Sequence, residues 1–194
     1  MTKNNEMNPL KGPLLVSTPG QAPAPKNWVL PRGKQRGILI LIKIRPAIAS
    51  DVKTIACILR ELGWFEHINK ESPAQTEARI IRHLELCNAD NSHTILVAEN
   101  QSGEVAGYIA VHWLPYLVLA GQEGYISELF IHKEERGRGI GTKLIEVVKE
   151  QAVKRGCTRL HLLNIRTRPS SARGFYKKLG WTEREETADF IFPL

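Results

Sequence analysis

The stretch "ERGRGIGTKL", residues 135–144, places three glycines within five residues, flanks them with arginines and runs into a helix-forming segment. Ordered glycine costs backbone entropy, so the cluster indicates a backbone that must approach another group closely. It lies between the strand-forming "YISELFIH" (125–132) and an amphipathic helix predicted over about 140–155. Because the first helical turn has unpaired N–H groups at the positive end of the helix dipole, this arrangement predicts a phosphate-binding loop.

Three kinds of phosphate-binding loop compete for this pattern. A Walker loop requires a Gly-Lys pair, which the stretch lacks. A Rossmann fingerprint requires G-x-G-x-x-G and an acidic residue about 20 positions later, whereas the spacing here is Gly137-x-Gly139-x-Gly141 and the position in question is His161. The third pattern, R-x-x-G-x-G, matches from Arg136 onward.

Charge is distributed unevenly along the chain. The 194 residues are 42% hydrophobic and 24% charged, which fits one globular domain, and the net charge is +7. Residues 1–37 contain six lysines and arginines against one glutamate, together with six of the eleven prolines. We therefore predict a flexible, basic, proline-rich tail over 1–37 and a folded domain over 38–194. The folded part is nearly neutral, so we expect no nucleic-acid partner.

Several other classes of protein are disfavoured. The apolar run 38–42 is far too short to span a bilayer, and residues 1–25 lack a signal-peptide pattern. The cysteines Cys57, Cys87 and Cys157 lie far apart without a C-x-x-C motif, as is typical of thiols in a reducing cytoplasm. His83 and Cys87 have metal-ligand spacing on a predicted helix, but two ligands without a third do not make a site. We predict a cytoplasmic protein with no metal and no membrane association.

The hydrophobic patterns predict a mixed α/β fold with one sheet. Strands are expected at 38–44, 93–100, 105–114, 125–132 and 159–165, with two last strands near 181–184 and 188–192. Helices are expected from the N-cap Ser50 to Gly63, from Pro73 onward, over 140–155, and from Ser170 or Ser171 to Gly180. The order is β-α-α-β-β-β-α-β-α-β-β. In the strand 125–132, strict alternation places Ile126, Glu128, Phe130 and His132 on one face.

Two stretches, "ELFIHKEERGRGIGTKLIEVV" (128–148) and "ARGFYKKLGW" (172–181), resemble the acyl-CoA motif and the following motif of the GNAT superfamily of N-acetyltransferases. The resemblance implies a single domain with a mixed, mostly antiparallel central sheet flanked by helices. It implies direct transfer of an acetyl group from acetyl-CoA to a primary amine on a small molecule or a protein, and it is compatible with a homodimer. The chain departs from the family at Pro169, where an asparagine is usual. An acyl-CoA-binding protein without transfer activity, or a partner-binding module acting through its basic tail, are the alternatives.

The resemblance also assigns residues to acetyl-CoA. The glycine loop would bind phosphates through its backbone N–H groups, and its arginines would add charge. A bulge in the preceding strand would free backbone groups for the pantetheine arm. The side-chain contact that Pro169 cannot make would be lost, or Ser170 or Ser171 would supply it. The candidate residues are Leu129, Phe130, Ile131, Arg136, Gly137, Arg138, Gly139, Ile140, Gly141, Thr142 and Ser171.

Two side chains are candidates for the chemistry. Glu128 is a carboxylate among apolar neighbours on a central strand, where a charge is costly without a partner, so it is the candidate base for the amine. The resemblance places Tyr176 near the cofactor sulfur, where a phenol can donate a proton to the departing thiolate. An ion-paired carboxylate and a packed aromatic ring are the structural alternatives. The resemblance implies that the acceptor contacts segments 63–74 and 114–124, and the aromatic and acidic residues of these segments suit a cationic amine.

Overall fold

The sheet has five strands that neighbour one another in chain order. The computed structural model describes residues 42–193. The strands are β1 (Lys43–Pro46), β2 (His93–Glu99), β3 (Val105–Pro115), β4 (Gln122–Ile131) and β5 (Cys157–Leu162). Neighbours are antiparallel from β1 to β4, whereas β4 and β5 are parallel. The expected mixed, mostly antiparallel sheet is confirmed.

Helices cover both faces of the sheet. They are α1 (Val52–Leu62), α2 (Glu66–Lys70), α3 (Pro73–Asn88), α4 (Ile140–Lys154), α5 (Pro169–Ala172) and α6 (Phe175–Lys178), with 3-10 turns at Ala49–Asp51 and Lys133–Glu135. On one face, called here the α4 face, the sheet packs against α4 around Ile109, Leu144 and Val148. On the other, the α1/α3 face, it packs against α1 and α3 around Ile58 and Val97. The crossover through α4 allows β4 and β5 to run parallel.

Local sequence signals set the bounds of α1 and α3. Ser72 and Gln75 cap the start of α3 reciprocally, and Pro73 occupies the first turn, where its missing N–H would have no helical partner anyway. Gly63 ends α1 with a φ of 65°, a left-handed conformation that glycine adopts without steric cost. The expected cap at Ser50 is wrong, because Ser50 lies in the preceding 3-10 turn and α1 begins after Asp51.

Other predicted elements also differ from the structure. Of the strand expected over 38–44, residues 38–41 lie outside the described residues, and β1 begins at Lys43. Segment 63–73 contains the additional helix α2, and the single short helix expected after β5 is two separate turns, α5 and α6. The two last strands are wrong, since residues 181–193 form no strand. Their apolar pattern suits a strand, but a strand also requires a paired neighbour, and Phe190 is 90% exposed. The predicted tail, 1–37, lies outside the described residues and stays a prediction.

A bulge interrupts the pairing of β3 with β4. Ala110 lies opposite Glu128, but Val111 lies opposite Ile126, so Ser127 is one extra residue in β4. An extra residue reverses the alternation of side chains beyond it. Ile126 therefore packs on the α4 face, whereas Glu128 lies on the α1/α3 face. The expected common face for these two residues is wrong for this reason.

Beyond the bulge, β4 and β5 no longer pair. The β4–β5 ladder ends at Ile126 and Leu162, while residues 128–131 of β4 continue to pair with β3. The edge of β4 that faces β5 is therefore outside the ladder over these last four residues. This is the part of the strand that leads into the glycine loop.

Candidate active site

The glycine loop presents open backbone at the start of α4. Gly137 and Gly139 both have a φ of 81°, which residues with a side chain rarely adopt, and a Cβ on either would meet nothing within 4 Å. Gly139 is the N-cap of α4, and no side chain caps this end of the helix. Because the first helical N–H groups have no partner within a helix, those of Ile140, Gly141 and Thr142 point out of the helix end. The local geometry fits the binding of an anion.

The two arginines of the loop have different contacts. Arg136 donates from Nε to the carbonyl oxygen of Ile131 at 3.0 Å and so connects the loop to the end of β4. Arg138 donates from Nη1 to Glu135 Oε2 at 2.9 Å across its own turn, and its side chain is half exposed. Their predicted role toward phosphate groups stays a prediction.

The second sequence motif packs directly against the glycine loop. A Cβ at Gly141 would lie 3.3 Å from Cζ of Phe175 and 3.9 Å from Cγ1 of Ile131, so this position has little room for a side chain. Tyr176 stacks edge-on against Phe175, with ring centres 4.9 Å apart, and against Trp181 at 5.9 Å. Burial raises the pKa of the Tyr176 phenol above its ordinary value, so the phenol keeps its proton at neutral pH.

The loop after β5 contains the remaining cofactor candidate. Ser171, on α5, lines an open cleft together with Arg166, Glu183 and Glu185. The neighbouring Ser170 donates its hydroxyl hydrogen to Asn164 Oδ1 at 2.9 Å. Ser170 is therefore engaged in holding this loop, whereas Ser171 faces a space that is open to solvent.

Glu128 lines a cavity of about 220 Å³ on the α1/α3 face. The cavity walls combine aliphatic side chains with several polar ones: Ile55, Leu59, Arg79, Ile80, His83, Leu84, Cys87, Ile95, Tyr108, Ala110, His112 and Ser127. Arg79 carries the positive charge, but it is paired with Glu71 through two hydrogen bonds of 3.0 and 2.9 Å. The hydrogen bonds with Glu71 raise the pKa of Arg79, and the charge of Glu128 adds to this effect. Glu128 is the carboxylate that lines the cavity, so a cationic acceptor group would share it with Arg79.

Tyr108 is a site residue that the sequence analysis did not find. Its hydroxyl donates a hydrogen bond to Glu128 Oε2, and its side chain is only 2% exposed. Burial, together with the charge of Glu128, raises the pKa of Tyr108 well above its ordinary value, so it remains a donor. The contact follows from the bulge, because only the reversed alternation brings Glu128 to the face that holds Tyr108.

Glu128 and Tyr176 lie on opposite faces of the sheet. Glu128 lines the cavity on the α1/α3 face, whereas Tyr176 packs against the core on the α4 face. Glu128 belongs to the last residues of β4, which no longer pair with β5. The two candidate catalytic groups therefore face opposite sides of the sheet, and one of them lies on the part of β4 beside the gap.

Neither of the two expected acceptor segments lines the cavity around Glu128. Trp64 and Phe65, in the loop after α1, contact the ring of Phe130 edge-on, with ring centres 5.9 and 6.1 Å apart. None of residues 114–124 lines the cavity around Glu128. In that second segment Glu123 is instead buried against the side chains of Arg159 and His161. The loop after α1 lies next to the cavity wall through Phe130, which contacts Tyr108, and the acceptor role of both segments stays a prediction.

The structure also bears on metals and membranes. Among residues 42–193, no group of three His, Cys, Asp or Glu side chains is arranged to hold a metal ion. His83 and Cys87 are both in the cavity wall. None of the helices in that range is long and apolar enough to cross a membrane.

Comparison with known proteins gives a consistent result. The sequence profile of the Acetyltransferase (GNAT) family matches residues 59–181. The chain is 28% identical over 155 residues to thialysine N-epsilon-acetyltransferase of Mus musculus, covering 77% of this chain and 89% of the relative. It is 27% identical over 153 residues to glucosamine 6-phosphate N-acetyltransferase 1 of Oryza sativa subsp. japonica, covering 77% and 87%.

A solved structure agrees with the fold. The crystal structure of a transcriptional regulator from Bacillus halodurans C-125 superposes with a TM-score of 0.68 and 26% identity, covering 78% of this chain and all of that one. The profile match spans more than half of the chain and includes both the glycine loop and the motif around Tyr176. With the gap between β4 and β5 and the uncapped start of α4, it leads to one assignment: the chain is an acyltransferase that belongs to the GNAT acetyltransferase family.

Proposed function

We propose that the protein transfers an acetyl group from acetyl-CoA directly to a primary amine of a small molecule. The observation that carries this proposal is the uncapped start of α4, with Gly137 and Gly139 in left-handed conformations, next to the open edge of β4. Relatives named for the acetylation of thialysine and of glucosamine 6-phosphate support an amine acceptor of this size.

The cofactor would be held mainly by backbone groups. The N–H groups of residues 138–142 would bind its phosphates, and Arg136 and Arg138 would add positive charge. The backbone of Leu129, Phe130 and Ile131 would pair with the extended arm of the cofactor, because this edge of β4 has no partner in β5. Ser171 would contribute a hydroxyl from the start of α5. A thioester held in this way supplies an acyl group whose thiol is a good leaving group.

The transfer itself requires the amine to lose two protons and the sulfur to gain one. Glu128 accepts a proton from the acceptor ammonium group, directly or through water, which leaves a nucleophilic amine. The amine nitrogen forms a bond to the carbonyl carbon, the bond from that carbon to sulfur breaks, and the nitrogen loses its remaining extra proton to water. Tyr176 gives its proton to the departing thiolate and takes one back from water, so the products are an amide and a free thiol. The placement of the two side chains on opposite faces lets the acceptor and the donor meet at the gap in the sheet.

The test is acetyl transfer by the full chain. Release of the coenzyme A thiol would be followed over a panel of primary amines, and the acetylated product identified by mass spectrometry. Glu128→Gln keeps the shape of the side chain, and we expect kcat to fall about 100-fold or more near neutral pH and to recover as the pH rises toward the pKa of the amine. Glu150→Gln, an exposed carboxylate on α4, is the matched control. Binding of acetyl-CoA without transfer to any amine would instead identify an acyl-CoA-binding protein.

A further inference from the structure

Arg168 has an unusual environment for a loop arginine. Its guanidinium carbon lies 3.7 Å from the centre of the Trp64 ring, which is a stacked cation–π contact. Its Nε is shielded from solvent, and no hydrogen-bond acceptor for it is found among the described residues. A shielded donor without an acceptor is costly, because its interaction with water is lost and not replaced.

The position of Arg168 connects it with the acceptor side of the site. Trp64 contacts Phe130 edge-on, and Phe130 contacts Tyr108 with ring centres 5.9 Å apart. Tyr108 in turn donates to Glu128. A continuous row of side chains therefore joins the arginine to the candidate base. Phe130 and Tyr108 both belong to the core on the α1/α3 face, which is the face of the Glu128 cavity.

We propose that Arg168 binds a carboxylate or phosphate group of the acceptor, so that the preferred substrates are amines carrying an anionic group. A guanidinium binds planar or tetrahedral oxyanions through paired N–H donors, and the shielded Nε gains its missing acceptor in this way. Glu128 receives the ammonium end of such a molecule and Arg168 the anionic end, so the two charges of the site match the two charges of the acceptor. The inference rests on the proposed acetyl transfer, because it concerns the acceptor of that reaction.

The experiment compares acceptors that differ only in the anionic group. The pairs are lysine with cadaverine and glucosamine 6-phosphate with glucosamine, each measured as kcat/KM with the full chain and saturating acetyl-CoA. We expect at least one pair to show a preference for the anionic member of about 10- to 100-fold, the range for one charge-assisted interaction. In Arg168→Met this preference disappears, while the KM for acetyl-CoA is unchanged.

Two further variants separate this role from general effects. Trp64→Leu removes the stacking surface and is expected to reduce the preference for the anionic acceptor. The melting temperatures of Trp64→Leu and Arg168→Met are measured to check that both variants are folded. Arg166→Met removes an exposed arginine two residues away that pairs with Glu183, and it should keep the preference intact. An unchanged preference in Arg168→Met, or no preference in the unaltered protein, overturns the proposal. So does a raised KM for acetyl-CoA with the preference intact, which assigns Arg168 to the cofactor phosphates.

The proposal can also be tested if the protein acetylates none of these amines. If none of the four amines is acetylated, binding of each pair to the full chain is compared by calorimetry. Tighter binding of the anionic member that disappears in Arg168→Met supports the anion site while the proposed transfer fails. Equal binding of both members overturns the anion site and says nothing against transfer to other amines.

Discussion

The hydroxyl of Tyr108 is placed to orient the carboxylate of Glu128. It donates a hydrogen bond to Glu128 Oε2 from a buried position, so its loss leaves the carboxylate less firmly held. We expect Tyr108→Phe to lower kcat by about 10- to 100-fold, because a catalytic group that is displaced slightly loses much of its effect. The KM for acetyl-CoA should change much less, because Tyr108 belongs to the core on the α1/α3 face.

A second tyrosine provides the control for this effect. Tyr125 lies on β4, and Tyr125→Phe removes the same atom at a position that does not line the cavity. Its kcat should match that of the unaltered protein. Lower stability of Tyr108→Phe with an unchanged kcat would show that Tyr108 is structural only.

The phenol of Tyr176 is expected to serve the chemistry and not the packing. Tyr176→Phe keeps the ring contacts with Phe175 and Trp181 and removes only the hydroxyl. Loss of a general acid lowers kcat by about 10²–10⁴-fold. The free energy of unfolding should change by about 1 kcal/mol or less, the value of an ordinary hydrogen bond. Full turnover with a stable fold would remove this role.

Sequence patterns identify single residues better than contacts between them. Glu128 stands out because a carboxylate among apolar residues is rare on a central strand. Tyr108 does not, because an apolar-looking strand residue gives no sign of its partner until the register of β3 against β4 is known. Ser127 decides that register, and a bulge of one residue has no signature in the sequence of β4. The stacking of Arg168 on Trp64 joins loops more than a hundred positions apart, and no local pattern predicts it.

At the scale of the element, two glycine variants distinguish the effect of backbone strain on stability from the effect of the glycine loop on cofactor binding. Gly139 and Gly103 both have a positive φ, of 81° and 79°, and a Cβ on either meets nothing within 4 Å. Alanine in a left-handed conformation costs about 1–2 kcal/mol, so Gly139→Ala and Gly103→Ala should lower stability by similar amounts. Only Gly139→Ala is expected to raise the KM for acetyl-CoA, since only Gly139 begins α4. An equal effect of both variants on this KM would separate the loop from cofactor binding.

The elements that the sequence predicts correctly are those that a local pattern specifies without reference to a neighbouring element. α1, α3 and α4 have long apolar stripes and clear end signals, and the glycine loop is recognisable from its spacing. The strands expected in residues 181–193 are absent because a strand is stable only beside another one, and local patterns do not specify that neighbour. The gap between β4 and β5 is expected from the resemblance alone, because no pattern in the sequences of these two strands indicates where their pairing ends.

At the scale of the molecule, Arg45 holds the edge of the sheet to the first helix. It donates to Glu99 Oε1 at 2.5 Å and to both carboxylate oxygens of Asp51 at 2.7 and 2.8 Å. Burial alone raises the pKa of Asp51, but the hydrogen bonds from Arg45 and from the Ile48 backbone outweigh it, and the pKa is lowered. The hydrogen bond from Arg45 also lowers the pKa of Glu99. Both carboxylates therefore stabilise the fold in their ionised forms.

This arrangement predicts how stability depends on acid. Groups whose pKa is lowered by folding stabilise the fold above their unfolded pKa values, about 4, and this contribution disappears as the pH falls further. We expect Asp51→Asn to be less stable by about 2 kcal/mol at neutral pH, because it leaves Arg45 only partly paired. Between pH 5 and pH 3 the stability of the variant should fall less than that of the unaltered protein. Urea unfolding at several pH values measures both effects, and parallel declines would contradict the assignment.

The gap in the sheet also has a consequence for the order of events during turnover. In the proposed reaction, donor and acceptor approach it from opposite sides, so neither blocks the entrance of the other and both can be present together. Reciprocal plots of initial velocity should then intersect, whereas parallel lines would indicate that the acyl group waits on the enzyme between two half-reactions. A thiol could carry such a group, and Cys87 lies in the cavity wall. Burial raises the pKa of Cys87, however, so its thiol is a poor nucleophile at neutral pH. We therefore expect intersecting lines, which indicate that donor and acceptor are bound at the same time when the acyl group is transferred.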